Sequence, residues 1–260
     1  AFAAAGIDLQ WHTVPEGTGR MCQMLRDGEL DMAVVVTEGA VRDILNGGPH
    51  RIVSTFVESP LPWGVHVPAI ARLHGPKDLV GAPFAISRLG SGSHLMAILY
   101  AQRHGWTPRA EDLIVVHNME GAAQRMRSGR PIIFLWETYV TSRYVDAGVM
   151  RRVDEVRGDW PGFVIVARQE FAHEHATAME RSLQVLRTQA RALRPGERTV
   201  EQVMRNAGFG RRLAEDWLQH VRWEVEPPVP ENLRTLITTL RKLELVPAGA
   251  HTAPVLANRS

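Results

Sequence analysis

The chain has 260 residues, 45% of them hydrophobic and 22% charged, and its 30 basic and 28 acidic residues leave a formal net charge of +2. This composition excludes a disordered, collagen-like or coiled-coil protein, and no apolar run approaches the ~20 residues of a membrane-spanning helix. The one cysteine, Cys22, excludes an internal disulfide and any cysteine-rich zinc or iron–sulfur site.

The chain opens AFAAAGIDLQW, without methionine. Ala1 to Ala5 reads as the tail of a helix ended by Gly6 in the left-handed conformation. The chain is therefore expected to begin inside an element, with a first strand upstream, and location cannot be read from this terminus. Residues 7–14 alternate as a strand, and the turn Glu16–Gly17–Thr18–Gly19 leads into a helix over 19–27. The near-continuous apolar run 31–37 reads as a buried parallel strand, followed by a helix over 38–46 and a strand over 51–58. Strands are expected at 64–68, 83–87, 113–117, 131–136, 150–156 and 163–167. Helices are expected at 92–104, 119–128 and 138–147. Beyond 169 the pattern turns helical, with apolar faces at Leu183, Leu186, Ala190 and Leu193, and again at Leu233, Leu236, Ile237, Leu240 and Leu243. The segment 199–223 has a helix-turn-helix outline, but its second helix carries an apolar face and its arginines are balanced by acids, which points to packing and not to DNA reading.

Alternating strands and helices imply an α/β fold. Two breaks interrupt the alternation, each with Pro beside Trp: Pro62–Trp63 and Trp160–Pro161. They are compatible with a lobe inserted between two crossings, which makes a hinge, and equally with one continuous sheet carrying two loops.

The stretch Ser87–Arg88–Leu89–Gly90–Ser91–Gly92–Ser93–His94 joins a strand to an apolar helix. Free N–H groups at such a helix start suit an anion, Arg88 can add a charge-assisted bond, and a serine there can also be simply a helix cap. Gly17 and Thr18 form a similar turn, although the third glycine of a dinucleotide fingerprint is replaced by Cys22. Thr37–Glu38, Asn118 and Trp136–Glu137 likewise stand where strands end and helices begin, the edge at which α/β sheets take ligands. Glu38 and Glu137 can equally serve the helix dipole alone. His173–Glu174–His175 lacks metal-ligand spacing and no nucleophile elbow occurs, so neither a metal nor another cofactor is expected.

Taken together, LRDGELDMAVVVTEGAV (25–41), RIVSTFVESPLPWGVHV (51–67), AISRLGSGSHLMA (85–97), IIFLWETY (132–139) and WPGFVIVA (160–167) resemble a type 2 periplasmic-binding-protein fold. The resemblance is to the nitrate/sulfonate/bicarbonate-type substrate-binding proteins of ABC transporters, in a branch also found in fungi. It implies two α/β lobes, 1–60 with 163–260 and 61–162, each with a mostly parallel sheet, and an interlobe ligand cleft. It also implies a cleft lined by Gly17, Thr18, Thr37, Glu38, Ser59, Arg88, Gly90, Ser91, Ser93, His94, Asn118, Trp136 and Glu137. Relatives acting in thiamine pyrimidine synthesis carry a cysteine-rich motif, which this chain lacks.

The expected function is capture of a small anionic or zwitterionic solute by a monomer, for an ABC-type permease, with no nucleic-acid partner. That role implies a periplasmic or extracytoplasmic location, with a cytoplasmic one open. The rival readings are an enzyme using Glu38, His94 and Glu137 as acid–base groups, or a ligand-sensing domain.

Overall fold

A computed structural model of the chain describes residues 1–256. Ala3–Ala5 form a single 3-10 turn closed by Gly6 at φ 69°. Residues 7–14, expected as a strand, are not one: no strand pairs with them among the described residues, and Leu9 and Trp11 are exposed. Alternation alone does not hold a strand whose backbone groups find no neighbour.

From Gly17 the elements follow the expected order. In chain order they are α1 (Thr18–Arg26), β1 (Met32–Val36), α2 (Thr37–Leu45) and β2 (His50–Val57). Next come β3 (Trp63–Pro68), α3 (Pro76–Leu79), β4 (Phe84–Ile86), α4 (Gly92–Arg103), β5 (Leu113–Val115), α5 (Met119–Arg127), β6 (Ile133–Glu137), α6 (Thr138–Asp146) and β7 (Met150–Val156). The chain ends with β8 (Phe163–Arg168), α7 (Gln169–Glu174), α8 (Ala176–Ala192), α9 (Glu197–Ala207), α10 (Arg211–His220) and α11 (Pro230–Lys242). No described helix is long and apolar enough to cross a membrane.

Two compact units result, one of Ala1–Pro60 with the chain from Asp159 on, the other of Leu61–Gly158. The first contains a three-stranded sheet in the order β1-β8-β2. Both pairings are antiparallel, Met32 facing Ala167 and Ile52 facing Val166. The second contains five strands in the order β5-β4-β6-β3-β7; its β4 pairs are parallel and its β3 pairs antiparallel. The first sheet is therefore antiparallel and the second mixed; neither is mostly parallel. The apolar run of β1 does mark a strand covered on both faces, with Val35 in the core and Val34 packed on the Val53–Ile165–Leu183 cluster. It does not mark a parallel partner, because β8 returns from far along the chain and inserts between β1 and β2. β2 is not left bare: its Thr55 N–H donates to Glu226 O and Glu58 N–H to Arg222 O.

In the first unit α8 supplies Leu183 to one sheet face, and the apolar stripe of α11 (Leu233, Leu236, Ile237, Leu240) is buried. Helices α9 and α10 close on each other through Val200, Ala214 and Leu218. Trp217 then meets Trp223, and Trp223 meets Phe56 of β2, edge to face. The apolar face of α10 is thus used in packing. In the second unit Ala85, Val116, Ala122, Met126, Ile132, Phe134 and Met150 form a core under α5.

His66 is a buried polar side chain beside that core. Its Nδ1 faces Phe134 O at 3.2 Å and its Nε2 faces Thr141 Oγ1 at 2.9 Å. Burial, helped by the nearby Arg152 charge, pushes the imidazole down to about 4 against the backbone bonds that favour the cation. The unfolded chain thus binds a proton that the folded chain refuses between about pH 6.5 and 4, and stability falls as pH drops through that window. Urea unfolding of the native chain is expected to lose up to about 3 kcal/mol there through this residue, and His66→Gln to lose correspondingly less. Equal acid sensitivity in both chains would disprove the assignment.

Candidate functional site

In the second unit, β5, β4 and β6 are parallel neighbours. Their following loops therefore lie along one edge of the sheet, with the β4 loop in the middle. That loop holds Arg88, Gly90, Ser91, Ser93 and His94. Ser91 is the N-cap of α4, accepting from His94 N at 3.3 Å. Ser93 Oγ accepts from Ser87 N at 2.9 Å and lies 3.0 Å from Ser91 Oγ and 3.2 Å from Ser87 Oγ. Gly90 N donates to His94 Nδ1 at 2.8 Å, which places the ring proton on Nε2. The loop is thus held by its own hydroxyls, while Arg88 and Leu89 project outward as exposed residues.

Asn118 and Glu137 flank this loop, and each caps a helix. Asn118 Oδ1 accepts from Gly121 N at 2.9 Å, and Glu137 Oε2 from Val140 N at 2.8 Å. Burial raises the Glu137 carboxyl, against the helix N–H bonds that lower it. β5 ends at Val115, earlier than expected, because His117 takes φ 65° and Asn118 N turns back to Val116 O at 2.8 Å. Gly121 is required by the same turn: a Cβ there would lie 2.0 Å from Val116 O. Trp136 stacks on Phe134 at 5.3 Å and meets Trp63 edge to face at 6.5 Å.

In the first unit the residues converge on the junction of β1 and α2, which has no loop at all. Thr18 Oγ1 accepts from Val36 N at 3.1 Å, so the start of α1 fastens the end of β1. Thr37 N donates to Gly162 O at 3.2 Å, and Gly162 N donates to Ser59 O at the same distance. Ser59 Oγ accepts from Arg222 N at 3.1 Å, so this serine is largely an anchor. Gly17 and Val36 stand at the N-caps of α1 and α2, neither of which has a side-chain cap. Thr37 and Glu38 are buried, and Thr37 Oγ1 and Glu38 Oε1 have no hydrogen-bond partner. Glu38 Oε2 accepts from Trp160 Nε1 at 3.2 Å. Loss of solvent raises the Glu38 carboxyl to about 7, although the backbone and Trp160 bonds oppose the shift. Near neutral pH this group is both a proton donor and an acceptor.

The structure thus groups Gly17, Thr18, Thr37, Glu38 and Ser59 in one unit, and Arg88, Gly90, Ser91, Ser93, His94, Asn118, Trp136 and Glu137 in the other. Sequence reasoning missed Trp160 as the partner of Glu38, Ser87 as a member of the serine network, and Trp63 as the neighbour of Trp136. The Pro–Trp breaks drew attention to both tryptophans, but not to what they touch.

Comparison with known proteins bears on the fold. Residues 71–156 match the family model described as Ca3427-like PBP. The Candida albicans CA3427 gene product, described as having the generic periplasmic binding protein fold, matches all of this chain and 84% of its own at 21% identity, with TM-score 0.82. The fold is that of a type 2 periplasmic binding protein. The alkanesulfonate-binding protein SsuA of Xanthomonas axonopodis pv. citri, bound to MOPS, matches 97% of this chain and 89% of its own at 16% identity, TM-score 0.79. The aliphatic sulphonate-binding SsuA of Escherichia coli matches 98% and 83% at 15% identity, TM-score 0.74. Among curated proteins no sequence matches.

Two substitutions test the geometry. Gly121→Ala should destabilise by about 3 kcal/mol, the cost of overpacking against a rigid carbonyl, measured by urea unfolding at pH 7. Glu38 holds its proton in the folded chain up to about pH 7, whereas the unfolded carboxyl loses it near 4.5. Ionising it while buried costs the folded state stability above that range. Glu38→Gln should therefore be more stable than the native chain by up to about 3 kcal/mol at pH 8 and no different at pH 4.5; a constant difference at both pH values would refute the burial argument.

Proposed function

We propose that the protein is a solute-binding protein for a small anionic or zwitterionic ligand, serving an ABC-type importer from outside the cytoplasm. The observation that carries this reading is the start of α2. Its helix has no side-chain cap, and beside it two buried polar atoms, Thr37 Oγ1 and Glu38 Oε1, lack partners. Buried groups of this kind call for a partner, and the positive end of the helix dipole favours a negative one. The protonated Glu38 would donate to that ligand, and Thr37 would donate beside it. The second unit has positive character of its own at the exposed Arg88 and the N-terminus of α4. The hinged, two-lobe capture implied by the resemblance belongs to the same proposal. The SsuA neighbours bind sulfonates, which makes sulfonates the first class to test.

The test is calorimetric titration of the chain with alkanesulfonates such as MOPS, and with phosphate, nitrate, bicarbonate and amino acids, at pH 6 and pH 8. Saturable binding of one class is expected, stronger at pH 6, and weakened about tenfold or more by Thr37→Val. Glu38→Gln should remove the difference between the two pH values. Absence of binding by every class, or affinity indifferent to Thr37→Val, would overturn the reading. A second reading rests on Glu38 alone: a buried carboxyl poised near neutrality is suited to general acid–base work. Conversion of a bound solute, lost in Glu38→Gln, would favour it.

A further inference from the structure

A second cluster of chemical groups lies in the first unit, among residues outside the site just described. Cys22 is on α1, Asp43 in the last turn of α2 and His50 at the first position of β2. One donor atom from each, sulfur, carboxylate oxygen and imidazole nitrogen, falls within 4.8 Å of the other two. His50 Nε2 and Asp43 Oδ2 are 3.6 Å apart, close to the spacing of two ligands about 2.0–2.2 Å from one zinc ion in a tetrahedral site.

The independent observation is His50 itself. It is fully buried, and neither ring nitrogen has a hydrogen-bond partner. The surroundings crowd it. Gly48 N donates to Asp43 O at 3.0 Å, and the loop runs so close that a Cβ at Gly48 would lie 2.6 Å from Asp43 Oδ2 and 3.0 Å from His50 Cε1. Arg51 fastens the His50 carbonyl at 2.7 Å. The ring lies with Nε2 toward the carboxylate, too far for a hydrogen bond and well placed to share an ion with it.

We infer that Cys22, Asp43 and His50 form a binding site for a thiophilic divalent metal ion of the zinc class. Thiolate and imidazole donors select zinc or cobalt over magnesium and calcium. Three protein ligands leave a fourth position for water. Asp43 is partly exposed, and offers the way in. Arg26 Nη1 now holds Asp43 Oδ2 and competes with the ion for that carboxylate. Binding breaks the Cys22 S–H bond, forms the metal–sulfur bond and releases the proton to solvent.

The experiment is titration of the chelator-treated chain with Co²⁺, without any solute, so that its outcome is independent of the solute-binding reading. One equivalent is expected, with a thiolate-to-cobalt charge-transfer band and proton release. Because Cys22 is the only cysteine of the chain, that band reports on this site in the native chain whatever the variants do. Cys22→Ser should abolish the band, His50→Gln should weaken binding at least ~100-fold, and Arg26→Gln should tighten it. No charge-transfer band from the native chain, or an affinity unchanged by either Cys22→Ser or His50→Gln, would overturn the inference.

Discussion

The first N–H groups of every helix have no partner within the helix, and this constraint organises both units. Three helices of the second unit answer it from within the chain. Ser91 caps α4, Asn118 caps α5 and Glu137 caps α6. In the first unit α1 and α2 start without a side-chain cap, and the strand β1 runs into α2 with no intervening residue. The chain supplies Thr18 Oγ1 and Gly162 O to the backbone at this junction. The side chains of Thr37 and Glu38 are left with capacity to spare. The difference between the two units is therefore one of satisfied and unsatisfied hydrogen-bonding groups, and it directs attention to the α2 start as the place where a ligand does most.

Burial favours the neutral form of two titratable groups of the interior. His66 is held neutral by loss of solvent and bonded at both nitrogens. Glu38 is pushed the opposite way by the same cause and keeps its proton toward neutral pH. The two differ in what surrounds them. His66 has its partners, Phe134 O and Thr141 Oγ1, and serves the core of the second unit. Glu38 has a partner for one oxygen only, Trp160, and so remains available. Glu137 is half-buried, and its carboxylate is engaged by the first turn of α6. Among the carboxylates selected from the sequence, Glu38 is the one whose environment is suited to a changing partner.

The cluster around His50 follows the same logic at the other end of α2. The turn at Gly47–Gly48 brings the end of α2 back against the start of β2, and α1 lies alongside with Cys22 and Arg26. A carboxylate, an arginine, a thiol and an imidazole meet where only the first two can neutralise each other. The imidazole is left over, as Thr37 and Glu38 are left over at the helix start.

Residue types and local periodicity carried the α/β class, nearly all element positions, and the serine–glycine loop as a helix start, because these depend on neighbours three or four places away. The strand direction did not follow from them. An apolar run shows that both faces of a strand are covered, but which strand lies beside it was decided by β8 arriving from more than a hundred residues away. The same holds for the site. The sequence marked Glu38 as a helix-start carboxylate and Cys22 as a helical cysteine. The bond from Trp160, 122 positions along the chain, and the approach of Asp43 and His50 to Cys22 exist only in the folded molecule. Burial and unpaired atoms are properties of the assembled environment, and no residue type carries them alone.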